Sequence, residues 1–129
     1  MKALTPLINV EDASRSIKFY TENFGFEVQH QFEIQGKVIW ARLSRGPIGI
    51  MINVHEEPPV RGKRSERQTY DDVVFYFEVD SAHEVYDGLL HKGLSPGPIE
   101  RQDYGVDEFT ICDPDGYELA FASRFIDER

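Results

Sequence analysis

The chain has 129 residues, of which 40% are hydrophobic, so it is long enough to bury the core of one domain. Its formal net charge of -9 disfavours nucleic acid as a partner, because phosphate binding needs a basic surface, and its longest apolar runs are too short to span a membrane. The single cysteine, Cys112, excludes an internal disulfide and predicts a protein of the reducing cytoplasm.

Hydrophobic periodicity and turn residues predict a strand, a helix and three strands in each half of the chain. Asp12 is placed to cap the first helix and Gly25 to end it, while Ser81 or Asp80 caps the second and Gly93 ends it. In chain order, the predicted elements are a strand at Leu4–Val10, a helix at Ala13–Asn23, strands at Phe26–Ile34, Lys37–Ser44, Ile48–Val54 and Val73–Val79, a helix at Ser81–Lys92, a weak strand around Pro98–Gln102, and strands at Phe109–Cys112 and Glu118–Ser123.

The two halves repeat at a spacing of 69 residues. Val10-Glu11-Asp12-Ala13 before the first helix corresponds to Val79-Asp80-Ser81-Ala82 before the second, and the strand around Met51 corresponds to the strand around Ala120. A repeat of this length is a duplicated supersecondary unit, because a solenoid needs about three copies or more to bury its faces. The sequence therefore predicts one domain made of module one at 1–54, a connector at 55–71 and module two at 72–129.

Motifs at both ends of the chain resemble one family. Leu7-Ile8-Asn9-Val10-Glu11-Asp12, with the segments Arg15–Thr21 and Phe24–Phe26, is similar to the opening of the vicinal-oxygen-chelate superfamily, and Asp113–Leu119 is similar to its last hairpin. Members include glyoxalase I, bleomycin-resistance proteins, fosfomycin-resistance enzymes and extradiol dioxygenases. The resemblance implies an α+β fold of two tandem βαβββ modules whose curled sheets enclose a cleft, in a homodimer.

The same resemblance indicates where a metal would bind. In metal-dependent members, His, Gln or Glu side chains on the first and last strands of each module hold a divalent ion. The corresponding positions here are Thr5, Met51, Val74 and Ala120. These side chains are unsuitable, because such ions prefer imidazole nitrogen and carboxylate oxygen. We therefore expect no metal and no other cofactor, and we interpret the four histidines as surface or edge residues.

Strand alternation predicts which side chains face the cleft once Met51 is taken as inward-facing. The predicted lining mixes aromatic and apolar surface with a few directed polar groups, which is typical of small-molecule sites. Its members are Leu7, Asn9, Trp40, Arg42, Met51, Asn53, Val74, Tyr76, Glu78 and Glu118, beside the small residues Gly49, Ala120 and Ala122. The alternative is that Trp40 and Tyr76 only fill a collapsed cleft or a dimer seam.

The missing metal ligands make the chain most similar to the bleomycin-resistance branch, whose members are acidic dimers that sequester a cationic glycopeptide. We therefore expect a metal-free small-molecule-binding protein of antibiotic-resistance type without catalytic residues, whose ligand is bleomycin or another cationic aromatic compound. Trp40 would stack on the ligand, and Glu78 and Glu118 would meet its positive charge. The alternative is a lyase, isomerase or dioxygenase with an atypical site, in which Arg42 and Glu78 form the acid-base pair.

Overall fold

The computed structural model describes residues 1–54 and 70–124, and the chain divides into two compact units. Unit 1 is Met1–Gln68 and unit 2 is Thr69–Arg129. The elements of unit 1 are β1 (Leu7–Val10), α1 (Ala13–Phe24), β2 (Glu27–Ile34), β3 (Lys37–Arg45) and β4 (Ile48–Val54). Those of unit 2 are β5 (Tyr70–Glu78), α2 (Ala82–His91), β6 (Glu100–Arg101), β7 (Val106–Cys112) and β8 (Tyr117–Arg124). Each unit is a βαβββ module, so the predicted α+β fold class is confirmed.

Each unit contains one open four-stranded sheet, and the two sheets have the same strand order. The order is β1-β4-β3-β2 in unit 1 and β5-β8-β7-β6 in unit 2, and in both the first strand pairs in parallel with the last. Leu7 pairs with Met51 in unit 1, and Tyr76 pairs with Ala120 in unit 2. Each residue of the second pair lies 69 positions after its counterpart in the first pair. The sequence repeat is therefore also a repeat of strand register.

Local signals fix the ends of both helices. The Asp12 carboxylate accepts a hydrogen bond from the Arg15 backbone N–H at 3.3 Å, and Gly25 ends α1 with a φ of 70°, which favours glycine. The Ser81 hydroxyl accepts from the Glu84 N–H at 3.2 Å and so caps α2. The predicted caps of both helices are confirmed. No helix in the described part of the chain is long and apolar enough to cross a membrane.

The core of unit 1 lies between α1 and its sheet. Tyr20 is fully buried on α1, and its ring meets the rings of Phe19 and Phe26 edge-on, with centroids 5.2 Å and 5.9 Å away. Such aromatic pairs contribute beyond the area that they bury, by about 0.5–1.5 kcal/mol each. From the sheet, Ile50 and Ile52 complete the core, as strand alternation predicts.

The core of unit 2 is also built on aromatic rings. Phe109 on β7 is 2% exposed and lies between Tyr86 of α2 and Phe121 of β8, at centroid distances of 5.5 Å and 5.4 Å. Phe121 in turn stacks on Phe77 of β5 at 5.1 Å. One row of rings therefore links β5, β8, β7 and α2.

Three strands start three residues away from their predicted positions. β1 begins at Leu7 instead of Leu4, whereas β5 and β7 begin three residues earlier than predicted, at Tyr70 and Val106. Both starts were predicted too late because acidic residues, which are depleted in strands, lie near the beginning of β5 and β7. Residues 70 and 71 of the predicted connector belong to β5, and the connector residues 55–69 lie outside the described part of the chain.

Candidate functional site

Six of the predicted lining residues lie together on one side of the unit 1 sheet. Met51 pairs with Leu7 on one side and Arg42 on the other, and Asn53 is placed in the same way between Asn9 and Trp40. All six are exposed or half-buried, whereas the intervening core residues of β4 are buried. We call this surface, away from α1, the unit 1 face; it consists of Leu7, Asn9, Trp40, Arg42, Met51 and Asn53.

Polar side chains on the unit 1 face hold one another in place. The Asn53 amide donates to Asn9 Oδ1 at 3.2 Å, and Arg42 Nη2 donates to Thr5 Oγ1 at 3.5 Å. A Cβ added to Gly49 would lie 3.5 Å from Thr5 Cγ2 and 3.8 Å from Arg42 Nη2, so the glycine leaves space beside both side chains. Arg42 is therefore a half-buried residue that contacts Thr5 and lies on the same side of β3 as Trp40.

Phe32 is an aromatic residue of this surface that sequence analysis missed. It pairs with Trp40 across β2 and β3 and is 57% exposed. Cross-strand partners point to the same side of a sheet, so Phe32 lies on the same side as Trp40. Val28, Phe32 and Ile34 alternate with polar residues in the sequence of β2, but register irregularities on both sides of this part of the strand interrupt its pairing with β3. Alternation alone therefore does not show which way Phe32 points.

The other four predicted lining residues lie together on unit 2. Val74, Tyr76 and Glu78 alternate along β5, and Val74 pairs with Glu118 of β8. All four are exposed or half-buried. Ala120 and Ala122, which were expected to leave room, are themselves buried in the middle of the sheet. We call this surface the unit 2 face; it consists of Val74, Tyr76, Glu78 and Glu118 with the same-side residues Glu100, Glu108, Thr110, Ala120 and Ala122.

Two tyrosines donate to one carboxylate on the unit 2 face. Glu108 Oε1 accepts from the Tyr76 hydroxyl at 3.0 Å and from the Tyr104 hydroxyl at 2.8 Å. Partial desolvation, the hydrogen bond and the negative charge of Glu108 together raise the pKa of Tyr76 to about 12. The hydrogen bond to Glu108 also raises the pKa of Tyr104. Both hydroxyls therefore remain protonated donors at neutral pH.

A second ionic cluster lies on the opposite, helix-facing side of β7. The buried Asp107 accepts from Arg101 Nε at 2.9 Å and from Arg101 Nη2 at 3.1 Å, and its Oδ2 lies 3.2 Å from His83 Nε2. The Arg101 guanidinium holds the pKa of Asp107 below its ordinary value of 3.8; burial opposes this effect and His83 adds to it. His83, predicted as a surface residue, is exposed but joins α2 to β7.

Asp107→Asn is expected to lower the free energy of unfolding at neutral pH by about 1–2 kcal/mol, because it weakens hydrogen bonds to two mostly exposed partners. Folding lowers the pKa of Asp107 below 3.8. The contribution of its carboxylate to stability is therefore fully present above pH 3.8 and is lost as the pH falls through the pKa that Asp107 has in the folded state. Urea unfolding at a series of pH values should give stabilities that converge in acid. Asp103→Asn, in the exposed turn before β7, is the control; a constant difference down to low pH would contradict the prediction.

The four positions where a metal would bind in relatives do not fit a metal here. Thr5 has a neutral hydroxyl that accepts from Arg42, Met51 has a thioether, and Val74 and Ala120 have no donor atom. Within residues 1–54 and 70–124, no three His, Cys, Asp or Glu side chains come close enough to hold an ion. We therefore assign no step of a reaction to a metal at these positions.

The geometry defines a class of protein: tandem βαβββ modules with mixed aromatic and polar sheet faces. The family model of the Glyoxalase/Bleomycin resistance protein/Dioxygenase superfamily matches residues 3–121, and the chain belongs to this superfamily. The resemblance of its end motifs to the same group is thereby confirmed. A search of curated proteins finds no match.

Solved structures share the fold at low sequence identity. A bleomycin-binding protein complexed with bleomycin is 19% identical with a TM-score of 0.68, over 97% of this chain and 100% of that one. A bleomycin resistance determinant encoded on the transposon Tn5 is 19% identical with a TM-score of 0.71, over 98% and 100%. The fosfomycin resistance protein FosX from Listeria monocytogenes is 15% identical with a TM-score of 0.72, over 98% and 96%. At these identities, the likeness shows the fold alone.

Proposed function

We propose that this chain is a small-molecule-binding protein that sequesters a cationic aromatic compound of bleomycin type without using a metal. The observation that carries the proposal is the half-buried Trp40, whose cross-strand partners are the exposed Phe32 and Asn53, the latter donating its amide to Asn9. Flat rings bind well on such a surface, and a few directed polar groups set their orientation. The net charge of -9 favours a cation by speeding its capture.

One similar solved structure supports a ligand-binding role. A protein of the same fold is described in complex with bleomycin, so the fold is compatible with binding such a ligand. For the enzymatic alternative, Arg42 lies in unit 1, where it donates to Thr5, and Glu78 lies in unit 2. We further propose a homodimer in the cytoplasm, consistent with the exposed apolar residues Leu7 and Val74 and with a single cysteine. Sequestration of the compound would then confer resistance to it.

The direct test is a fluorescence titration of the full chain with bleomycin. Trp40 is the only tryptophan, so its emission reports on the unit 1 face. We expect a saturable change with a dissociation constant in the micromolar range or below, and an association rate that falls as salt is added. An unchanged spectrum, with calorimetry also showing no heat of binding at a large ligand excess, would overturn the proposal.

A further inference from the structure

On the unit 2 face, one oxygen of the Glu108 carboxylate accepts hydrogen bonds from described residues and the other does not. Oε1 accepts both tyrosine hydrogen bonds, from Tyr76 and Tyr104. No described residue makes a hydrogen bond or an ion pair with Oε2. The two rings are 49% and 66% exposed, respectively, so a ligand can reach both the rings and the carboxylate. A carboxylate oxygen next to exposed ring faces is suited to bind a cation that also carries N–H donors.

The charges around Glu108 make a cation favourable at this place. Glu100 on β6 is the direct cross-strand partner of Glu108. On the other side of Glu108, Ala122 of β8 separates it from Glu78 of β5 in the same row across the sheet. Like charges that face each other across a strand pair are destabilising, so a bound positive charge would relieve the repulsion between Glu100 and Glu108. Among the described residues, the basic side chain on this side of the sheet is that of Arg124. It lies at the exposed end of β8, one row further along.

Strand order and a tight turn position the two tyrosines. β8 lies between β5 and β7, so the Tyr76 side chain extends across β8 to reach Glu108, above the small side chains of Ala120 and Ala122. Tyr104 sits in the turn before β7, which the Gly105 N–H closes by donating to the Gln102 carbonyl at 3.1 Å. Gly105 has a φ of 88°, a conformation in which other residues are strained.

We propose that Tyr76, Glu108 and Tyr104 form a binding site for the primary ammonium group of an organic cation. The ammonium N–H groups donate to Glu108 Oε2, and the adjacent carbon atoms lie against the tyrosine rings. The inference rests on the proposed function for its choice of a cationic ligand and deepens it by naming the group that unit 2 recognises. The phenols keep the carboxylate in place, since each hydroxyl is a donor that points at Oε1.

The test uses benzylammonium as the probe and the backbone amide chemical shifts of the full chain as the readout. We expect saturable shifts centred on β7 and the turn at Tyr104, with a dissociation constant in the millimolar range. Benzyl alcohol, which has the same ring but no charge, should produce no saturable shift. Shifts centred elsewhere, or equal binding of the alcohol, would overturn the proposal.

Variants separate recognition of the cation from bulk charge. Glu108→Gln should weaken benzylammonium binding by about tenfold or more, because a charge-assisted hydrogen bond is lost. Asp87→Asn removes the same charge from the exposed surface of α2 and should leave the affinity unchanged. Tyr104→Ala removes one ring that is 66% exposed and should weaken binding several-fold, with circular dichroism confirming that the variant is folded. Wild-type affinity in Glu108→Gln or in Tyr104→Ala would overturn the proposal.

Failure of this site and failure of the proposed function give different results. If benzylammonium binds at Glu108 while bleomycin leaves Trp40 unaffected, the ammonium site stands and the drug-sequestration proposal fails. If bleomycin binds with the same affinity to wild type and to Glu108→Gln, and benzylammonium does not bind, the ammonium site is wrong. The two titrations report on residues of different units, so neither result is inferred from the other.

Discussion

Replacing Phe109 with alanine is expected to lower the free energy of unfolding by about 3–5 kcal/mol, the largest loss of stability among the changes proposed for this chain. The ring is 2% exposed and lies between the rings of Tyr86 and Phe121. Its removal therefore loses both buried apolar area and two aromatic contacts, and it leaves a cavity between α2 and the sheet. Urea unfolding followed by circular dichroism measures the change.

Two neighbouring leucines on α2 provide a matched control for this prediction. Leu89 is 1% exposed and Leu90 is 47% exposed, although they have the same side chain and both lie near the C-terminal end of the helix. Leu89→Ala should destabilise the chain by about 2–5 kcal/mol, and Leu90→Ala by about 0.5 kcal/mol or less. A loss for Phe109→Ala no greater than that for Leu90→Ala would mean that β7 does not pack against α2 in this way.

Local chemistry made much of the fold predictable. Asp12 and Ser81 act as caps because a short polar side chain can accept a backbone N–H at the start of a helix. Gly25 ends α1 because only glycine adopts its left-handed conformation without strain. The 69-residue repeat added the long-range part, since equal spacing of equivalent strands implied the equal registers found for β1 with β4 and for β5 with β8.

The membership of the unit 1 face followed from strict alternation in β3. Val38, Trp40 and Arg42 are half-buried there, whereas Ala41 and Leu43 are fully buried, so polarity and size signalled both sides of the strand. In β2 the apolar residues Val28, Phe32 and Ile34 also alternate with polar ones, but all residues of the strand are exposed and register irregularities interrupt its pairing with β3, so Phe32 was missed. That these side chains bind a ligand remains a prediction.

Glu108 and Tyr104 could not be assigned from sequence for a different reason. The second and third residues of β7 are acidic and are depleted in strands in general, but here they pair with β8 and β6. Tyr76 reaches Glu108 because the strand order places β8 between β5 and β7. Local periodicity in the sequence does not predict strand order. The one local hint was Asp103-Tyr104-Gly105, a turn sequence that precedes the acidic pair.

Replacing Trp40 with alanine is expected to weaken bleomycin binding by about 10- to 100-fold, corresponding to roughly 1.4–2.7 kcal/mol. Large aromatic side chains dominate recognition when they are partly buried, because they offer wide contact area and lose little conformational freedom on binding. Trp40 is half-buried, and Asn53 and Phe32 are its cross-strand partners. Isothermal titration calorimetry is the measurement, since this variant lacks its fluorescent reporter.

Two further variants test whether stacking at the unit 1 face is the cause. Trp40→Phe keeps a flat ring and should weaken binding by less than about fivefold, whereas Phe32→Ala should weaken it by an intermediate factor, because Phe32 is the cross-strand neighbour. Leu90→Ala removes an exposed apolar side chain from α2 and should leave the affinity unchanged. If Trp40→Ala binds bleomycin as tightly as wild type while remaining folded, the indole only fills space on the sheet. The ligand would then have to be sought on the unit 2 face, where Tyr76, Tyr104 and Glu108 supply the aromatic and charged groups.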